Sequence, residues 1–208
     1  MQRTRDEVST EDGPVKSPLL QRAESALADL FGYDTFRPAQ APIIEAVLRG
    51  ENLLVVMPTG AGKSLLFQLP ALVRRGLTLV VSPLIALMKD QVDGLQQRGL
   101  GKFVATINSA VPPDEQEEIL VRVQREEVRL LYVAPERFAS TRFLDALRDV
   151  TVRLFAIDEA HCISQWGHDF RPEYTRLRRV IERLRPRQVV GLTATATPHV
   201  RADILEQL

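Results

Sequence analysis

The 208-residue chain is short of cysteine, of aromatics and of surplus charge, and each shortage closes off a class of explanation. Cys162 is its only cysteine, which rules out an internal disulfide framework and a zinc site built on paired cysteines. A reducing, cytoplasmic setting is the natural expectation. Apolar runs long enough to cross a bilayer are missing. The opening residues Met1-Gln2-Arg3-Thr4-Arg5-Asp6 have no apolar centre of a signal peptide, so no membrane partner is expected. Lys and Arg number 27 against 27 Asp and Glu. Net charge is therefore silent about nucleic acid, and any such contact has to come from local patches. Internal repeats and low-complexity tracts are lacking as well.

What remains is a chain that is 45% hydrophobic, enough for one full core and one domain. Residues 1–16 are polar, mixed in charge and without periodicity, and are expected to form a disordered leader; residues 17–208 form the domain. Ser17-Pro18 has the form of a helix cap followed by proline at the first helical position, opening a helix to about Leu30. A second helix is expected from Pro38 to Gly50. Short apolar, β-branched runs then occur at Leu53–Val56, Leu77–Val81, Phe103–Ile107, Leu130–Val133, Leu154–Ile157 and Val189–Leu192. Helical or polar stretches separate them, notably Leu84–Arg98, Asp114–Arg125, Arg142–Arg148 and Tyr174–Leu184. Runs apolar on both faces and divided by helices predict a parallel sheet covered on both sides. Such sheets bind ligands beyond the carboxyl ends of their strands. Thr197-Pro198 repeats the cap signal, yet the helix from His199 to Leu208 has no glycine stop. A chain cut from something longer is the expectation.

Thr59-Gly60-Ala61-Gly62-Lys63-Ser64 lies between a strand and an apolar helical stretch starting at Leu65. Glycines let backbone N–H groups converge on phosphates, and a helix N-terminus adds partial positive charge. Lys63 would reach the outer phosphates and the Ser64 hydroxyl would complete a Mg²⁺ shell. Met57 stands where the strict phosphate-loop pattern places its first glycine, so a glycine-rich turn with a chance Lys-Ser stays open on this segment alone. Asp158-Glu159 narrows the choice. Asp158 ends the apolar run Leu154–Ile157, where a carboxylate can bind Mg²⁺, and Glu159 is placed to deprotonate an attacking water.

Directly after this acidic pair comes His161-Cys162-Ile163-Ser164-Gln165-Trp166-Gly167-His168-Asp169-Phe170-Arg171. Trp166 and Phe170 form either a local packing cluster or a platform for single-stranded bases, where stacking contributes roughly 1–3 kcal/mol per base. In the second case Arg171 meets a phosphate. His161 is read as a hydrogen-bonding link to a neighbouring loop rather than a metal ligand. Arg176, Arg178, Arg179, Arg183, Arg185 and Arg187 suggest a nucleic-acid patch, but the apolar spacing of Leu177, Val180, Ile181 and Leu184 favours the solvated face of a sheet-covering helix.

Taken together, Phe31 to Gln40, Met57 to Ser64, Ser82 to Gln91, Tyr132 to Phe138, Asp158 to Tyr174 and Gly191 to Thr197 resemble, in this order, the motifs of RecQ-family DNA helicases. The resemblance covers the chain from about residue 20 onward. It implies an α/β fold, the first RecA-like P-loop NTPase lobe of a superfamily 2 helicase, in which Met57 is normal. It also implies ATP and Mg²⁺ as cofactors, and DNA, single-stranded or at duplex junctions, as partner. Adenine recognition falls to Tyr33 by stacking and to Arg37 and Gln40 by hydrogen bonds. Gly60, Ala61, Gly62, Lys63 and Ser64, with Thr59, hold the phosphates; Ser64 and Asp158 hold Mg²⁺; Lys63, Asp158, Glu159 and His161 are catalytic. Ser82, Pro83, Asn108, Ser109, Trp166, His168, Phe170 and Arg171 are the implied DNA contacts, and the Pro135-Glu136-Arg137 turn belongs with the segments that track the backbone. Thr193 and Thr195 link hydrolysis to movement between lobes, and Cys162 to Tyr174 couples DNA binding to hydrolysis.

Relatives of this kind carry a second RecA-like lobe with an arginine finger, then zinc-binding and winged-helix regions, none of them in these 208 residues. The implied activity is 3′→5′ unwinding in recombination and repair, with this piece binding ATP but nearly inactive. Two other classes stay in view. A non-catalytic binding module would not need Lys63, Asp158 and Glu159. An RNA helicase of the Asp-Glu-Ala-Asp type is disfavoured by His161 and the Trp166–Arg171 loop.

Overall fold

A computed structural model describes residues 16–208, so the expectation of a leader over residues 1–16 lies, but for Lys16, outside the described residues. Helix α1 (Pro18–Phe31) opens as its sequence predicts, with the Ser17 hydroxyl accepting from the Leu20 N–H at 3.2 Å. It stops one residue later than expected, at a left-handed Gly32 (φ 70°) whose N–H returns to the Ala28 carbonyl. Helix α2 (Gln40–Arg49) ends the same way at Gly50, φ 89°. After it come β1 (Leu53–Val56), α3 (Leu65–Val73), β2 (Leu77–Val81), α4 (Ile85–Gln97), β3 (Val104–Ile107), α5 (Pro113–Gln124) and β4 (Leu130–Val133). The described chain closes with α6 (Thr141–Ala146), β5 (Val152–Ile157), α7 (Leu177–Leu184), β6 (Val189–Thr193) and α8 (Pro198–Gln207). Thr197 caps α8, its hydroxyl accepting from the Val200 N–H at 3.3 Å.

All strand pairs are parallel, in the order β1-β6-β5-β2-β4-β3. Alternate residues of each strand serve two separate cores. Val55, Val80, Leu130, Tyr132, Leu154, Ala156, Val190 and Leu192 pack with α1 to α4. Leu79, Val81, Ala105, Ile107, Leu131, Val133, Phe155 and Ile157 pack with α5 to α8. This double burial explains strands with few polar positions. Besides shifts of one or two residues, such as α2 starting at Gln40 and β5 at Val152, two segments differ from expectation. Phe103 closes a short 3-10 turn (Gly101–Phe103) before β3, and Pro172–Arg176 forms another before α7, where Pro172 favours a helical start. In α7, Leu177 and Val180 are buried while Arg178, Arg179 and Arg183 are exposed, the solvated face that the spacing predicts.

The carboxyl edge of the sheet is divided by this order. The glycine-rich loop leaves β1, Thr195 follows β6 and Asp158 follows β5; Ser82-Pro83 leave β2, Pro135 to Arg137 follow β4 and Asn108-Ser109 follow β3. Nucleotide candidates thus occupy one half of the edge, and the nucleic-acid candidates after β2, β4 and β3 the other, while Trp166 to Arg171 leave from β5 at the boundary.

Candidate functional site

Gly60 (φ 79°) and Gly62 (φ 81°) adopt left-handed backbone, and the turn they shape carries Lys63 and Ser64 into the first turn of α3. Lys63 Nζ donates to the carbonyls of Met57 at 3.0 Å and Pro58 at 3.4 Å, so the ammonium is folded onto its own loop. Two residues expected to read adenine brace the same loop. Arg37 Nη1 donates to the Gly60 carbonyl at 2.5 Å, and Gln40 Nε2 donates to the carbonyls of Ala61 and Gly62, both at 3.2 Å. Gln40 is nearly buried and lies so close to Gly62 that a side chain there would strike its amide. Tyr33 is 52% exposed beside them. Tyr33, Arg37, Gln40 and Gly62 share one cavity of about 370 Å³ with residues of α1 and α4.

Asp158 hangs from the end of β5, its N–H bonded to the Val81 carbonyl at 2.9 Å. Burial first, and then the charge of Glu159, push its carboxyl up to about 6, while Lys63 and His161 pull the other way. Glu159 moves down, chiefly through its hydrogen bond from His161, with Lys63 adding to the effect. The pair is therefore split: Glu159 stays ionised and able to accept a proton, and Asp158 carries negative charge that a cation would relieve. Glu159 sits in left-handed backbone (φ 49°, ψ 48°), strained for a residue with a side chain, at the turn out of the strand.

His161 is buried, with Nδ1 at 2.9 Å from the Thr193 hydroxyl and 3.2 Å from Glu159 Oε2. Thr193 Oγ1 donates its own proton to the Thr195 carbonyl at 3.0 Å, so towards His161 it can only accept. The proton then resides on Nδ1, shared between Thr193 and Glu159. One imidazole thus joins the acidic pair after β5 to the Thr193-Thr195 segment after β6.

In the aromatic loop, Trp166 is 71% exposed and meets His199 edge-on at 5.2 Å; it does not retreat into a packing cluster. His168 is exposed and stacks on His161 with ring centres 4.4 Å apart, and Phe170 is half-buried. Arg171 does not stand free for a phosphate: it pairs with Asp169 at 3.2 Å and donates to the Pro83 carbonyl at 3.3 Å, tying the loop to the segment after β2. Cys162 Sγ and donor atoms of His161 and Asp169 lie within 4.8 Å of one another. Each is engaged, His161 with Thr193 and Glu159 and Asp169 with Arg171. Burial pushes the Cys162 thiol up to about 12, leaving it protonated.

Two expected contact residues have buried side chains. Ser82 is 1% exposed and Asn108 4% exposed, because both stand where a strand ends and the chain folds back over it. Asn108 Oδ1 accepts from the Ala110 N–H at 2.8 Å, shaping its own loop. The surface there belongs to half-exposed Pro83 and exposed Ser109. Conversely, Tyr174 had no predicted task, yet its buried hydroxyl donates to the Asp158 carbonyl at 3.1 Å and pins the acidic turn from below. Its position at the end of the motif was the available signal; the contact requires the loop to close.

Comparison with known proteins agrees with this layout. Residues 37–204 match the DEAD/DEAH box helicase family. The chain is 47% identical over 192 residues to the ATP-dependent DNA helicase RecQ of Bacillus subtilis, covering 91% of this chain and 32% of that protein. It is 39% identical over 210 residues to the RecQ-like DNA helicase blm-1 of Caenorhabditis elegans, covering 98% of this chain and 21% of that one. The chain thus spans about a third or less of the length of these relatives. Among solved structures, a hypothetical ATP-dependent RNA helicase from Sulfolobus tokodaii superposes with a TM-score of 0.67 at 20% identity, over 90% of this chain and 54% of that one. The Mycobacterium smegmatis helicase Lhr, solved with ssDNA and AMP-PNP, gives 0.63 at 24% identity, over 90% and 26%. These two show a shared fold, that of RecA-like helicase lobes. With the phosphate loop, the acidic pair and the Thr193-Thr195 link each at a strand end, the chain belongs to the DEAD/DEAH box helicase family, and its sequence places it alongside the RecQ helicases within it.

Proposed function

We propose that this chain is the ATP-binding motor lobe of a RecQ-type DNA helicase, acting in the cytoplasm, whose parent protein couples ATP hydrolysis to 3′→5′ unwinding in recombination and repair. The observation that carries this is the convergence of Lys63 with Asp158 and Glu159: the ammonium draws on both carboxyls from the end of β1 to the end of β5, with β6 between them. Lys63 exchanges the Met57 and Pro58 carbonyls for phosphate oxygens when nucleotide enters. Ser64 and Asp158 are the residues that would hold Mg²⁺, which supplies charge neutralisation at the phosphates; the crowded negative charge at Asp158 fits a divalent cation. Glu159 takes the proton of the attacking water. His161, bridging Glu159 and Thr193, reports the state of that base to the segment leading into α8.

DNA lies over the β2, β4 and β3 half of the carboxyl edge, meeting Pro83, Ser109, Trp166, His168 and Phe170. Exposure of Trp166 and the bond from Arg171 to Pro83 favour the loop as the bridge between the two halves. The relatives, named as an ATP-dependent DNA helicase and a RecQ-like DNA helicase, support DNA over RNA. A second RecA-like lobe completes the site in the parent protein. Its arginine finger, where such a group has been removed elsewhere, contributes on the order of 10³–10⁵ in rate. The lone lobe therefore binds ATP weakly, hydrolyses it very slowly and does not unwind DNA. Steady-state phosphate release by the purified chain, with and without single-stranded DNA, tests this: the expected rate is near background in both, and robust DNA-stimulated turnover would overturn it.

A further inference from the structure

Arg98, the residue after α4, reaches across to the end of α1. Its Nη1 donates to the Phe31 carbonyl at 2.6 Å, satisfying a helix-end acceptor that has no partner within α1. The same guanidinium lies over two rings, 5.7 Å from the centre of Phe31 and 5.7 Å from that of Tyr33. Phe31 is buried, whereas Tyr33 is 52% exposed and follows the left-handed Gly32, a joint with little to fix the ring's direction. Arg98 also lines the cavity shared by Tyr33, Arg37, Gln40 and Gly62.

From this geometry we infer that Arg98 is a positioning residue for base recognition, holding the Tyr33 ring ready to stack on adenine. The inference rests on the adenine site proposed above and adds to it a residue outside the matched motifs. A cation over one face of an aromatic ring leaves the other face for a base. The bond to Phe31 fixes the backbone from which Tyr33 projects. Among the described residues, the hydrogen bond and ring contacts of Arg98 go to Phe31 and Tyr33 and not to the glycine-rich loop, so its contribution belongs to the base and not to the triphosphate. α4 also starts just after Pro83, an expected DNA contact, so the same arginine links the orientation of that helix to the base pocket.

The test is a set of titrations of the 208-residue chain with Mg·ATP and with Mg·tripolyphosphate, which has no base. Arg98→Ala should weaken ATP about 3–10-fold, the scale of a single exposed cation–π contact or a single hydrogen bond. Tripolyphosphate affinity should stay within about twofold, which also reports that the variant is folded. In a Tyr33→Ala background, Arg98→Ala should cost less than about twofold, because the ring it positions is gone. Equal losses for both ligands, a full loss that persists without Tyr33, or tighter ATP binding by Arg98→Ala would each overturn the inference. Failure of the underlying adenine site looks different: Tyr33→Ala alone would then leave ATP affinity unchanged.

Discussion

Asp158 is pushed up to about 6 by burial and by Glu159, so between about pH 4 and pH 6 the folded chain keeps a proton that the unfolded chain has released. Stability falls as pH rises through that window, and the full penalty is present above it. Asp158→Asn keeps the Oδ1 acceptor for the Glu159 N–H, a 3.1 Å bond, and removes the charge. It is expected to stabilise the nucleotide-free chain by about 1–3 kcal/mol near neutral pH, the scale of a two-unit shift. At about pH 4.5 most of that gain disappears. Urea midpoints at the two pH values measure it; a variant less stable than the parent at both would contradict the assignment. The places of Lys63, Asp158 and Glu159 were legible in the sequence because each comes just after an apolar run that forms a strand. Ser82 and Asn108 were not: both are polar and both follow strands, but whether such a side chain faces outward depends on how the next few residues fold back. Arg98 was illegible for a different reason, since its partners Phe31 and Tyr33 are some 65 residues away in the chain and meet it only through the packing of α1 against α4.

At the level of elements, the aromatic loop is held by backbone fit as much as by side chains. A Cβ on Gly167 would run into the His161 carbonyl, a rigid backbone atom, and would come within 3.1 Å of the Ser164 carbonyl. Gly167→Ala is therefore expected to shift the loop and lift Trp166 away from His199. Trp166 is the only tryptophan, so its fluorescence reads the loop alone. The emission should change while Mg·ATP affinity stays within about twofold, because the phosphate loop leaves a different strand. An unchanged emission spectrum would mean that the loop accommodates the methyl group and is not fixed by this contact. The strands were legible from runs apolar on both faces, and the helix caps at Ser17 and Thr197 from their hydroxyl-proline pairs. The 3-10 turns at Gly101–Phe103 and Pro172–Arg176 were missed because periodicity does not separate a tight turn from the first turn of a helix. Whether Trp166 was core or platform could not be read from spacing, as the choice depends on His199, which lies beyond the next strand.

For the whole molecule, the strand order β1-β6-β5-β2-β4-β3 puts the nucleotide residues on one half of the carboxyl edge and the expected DNA segments on the other. The loop from Asp158 to Tyr174 starts at the boundary: His161 reaches Thr193 on the nucleotide side, and Arg171 reaches Pro83 on the other. The parallel sheet was legible; the division of its edge was not, because motif order along the chain differs from strand order in the sheet. Under the proposed function, a lobe so divided binds nucleotide on its own. That claim turns first on Lys63, whose ammonium is folded onto the Met57 and Pro58 carbonyls, ready to be exchanged for phosphate. Calorimetric titration of Mg·ATP into the 208-residue chain and into its Lys63→Ala variant tests it most directly. Saturable binding by the parent chain and a loss of at least about tenfold in the variant, on the order of 1.4 kcal/mol, is the predicted result. Equal affinity in the two would contradict it and leave a binding module that does not use the phosphate loop.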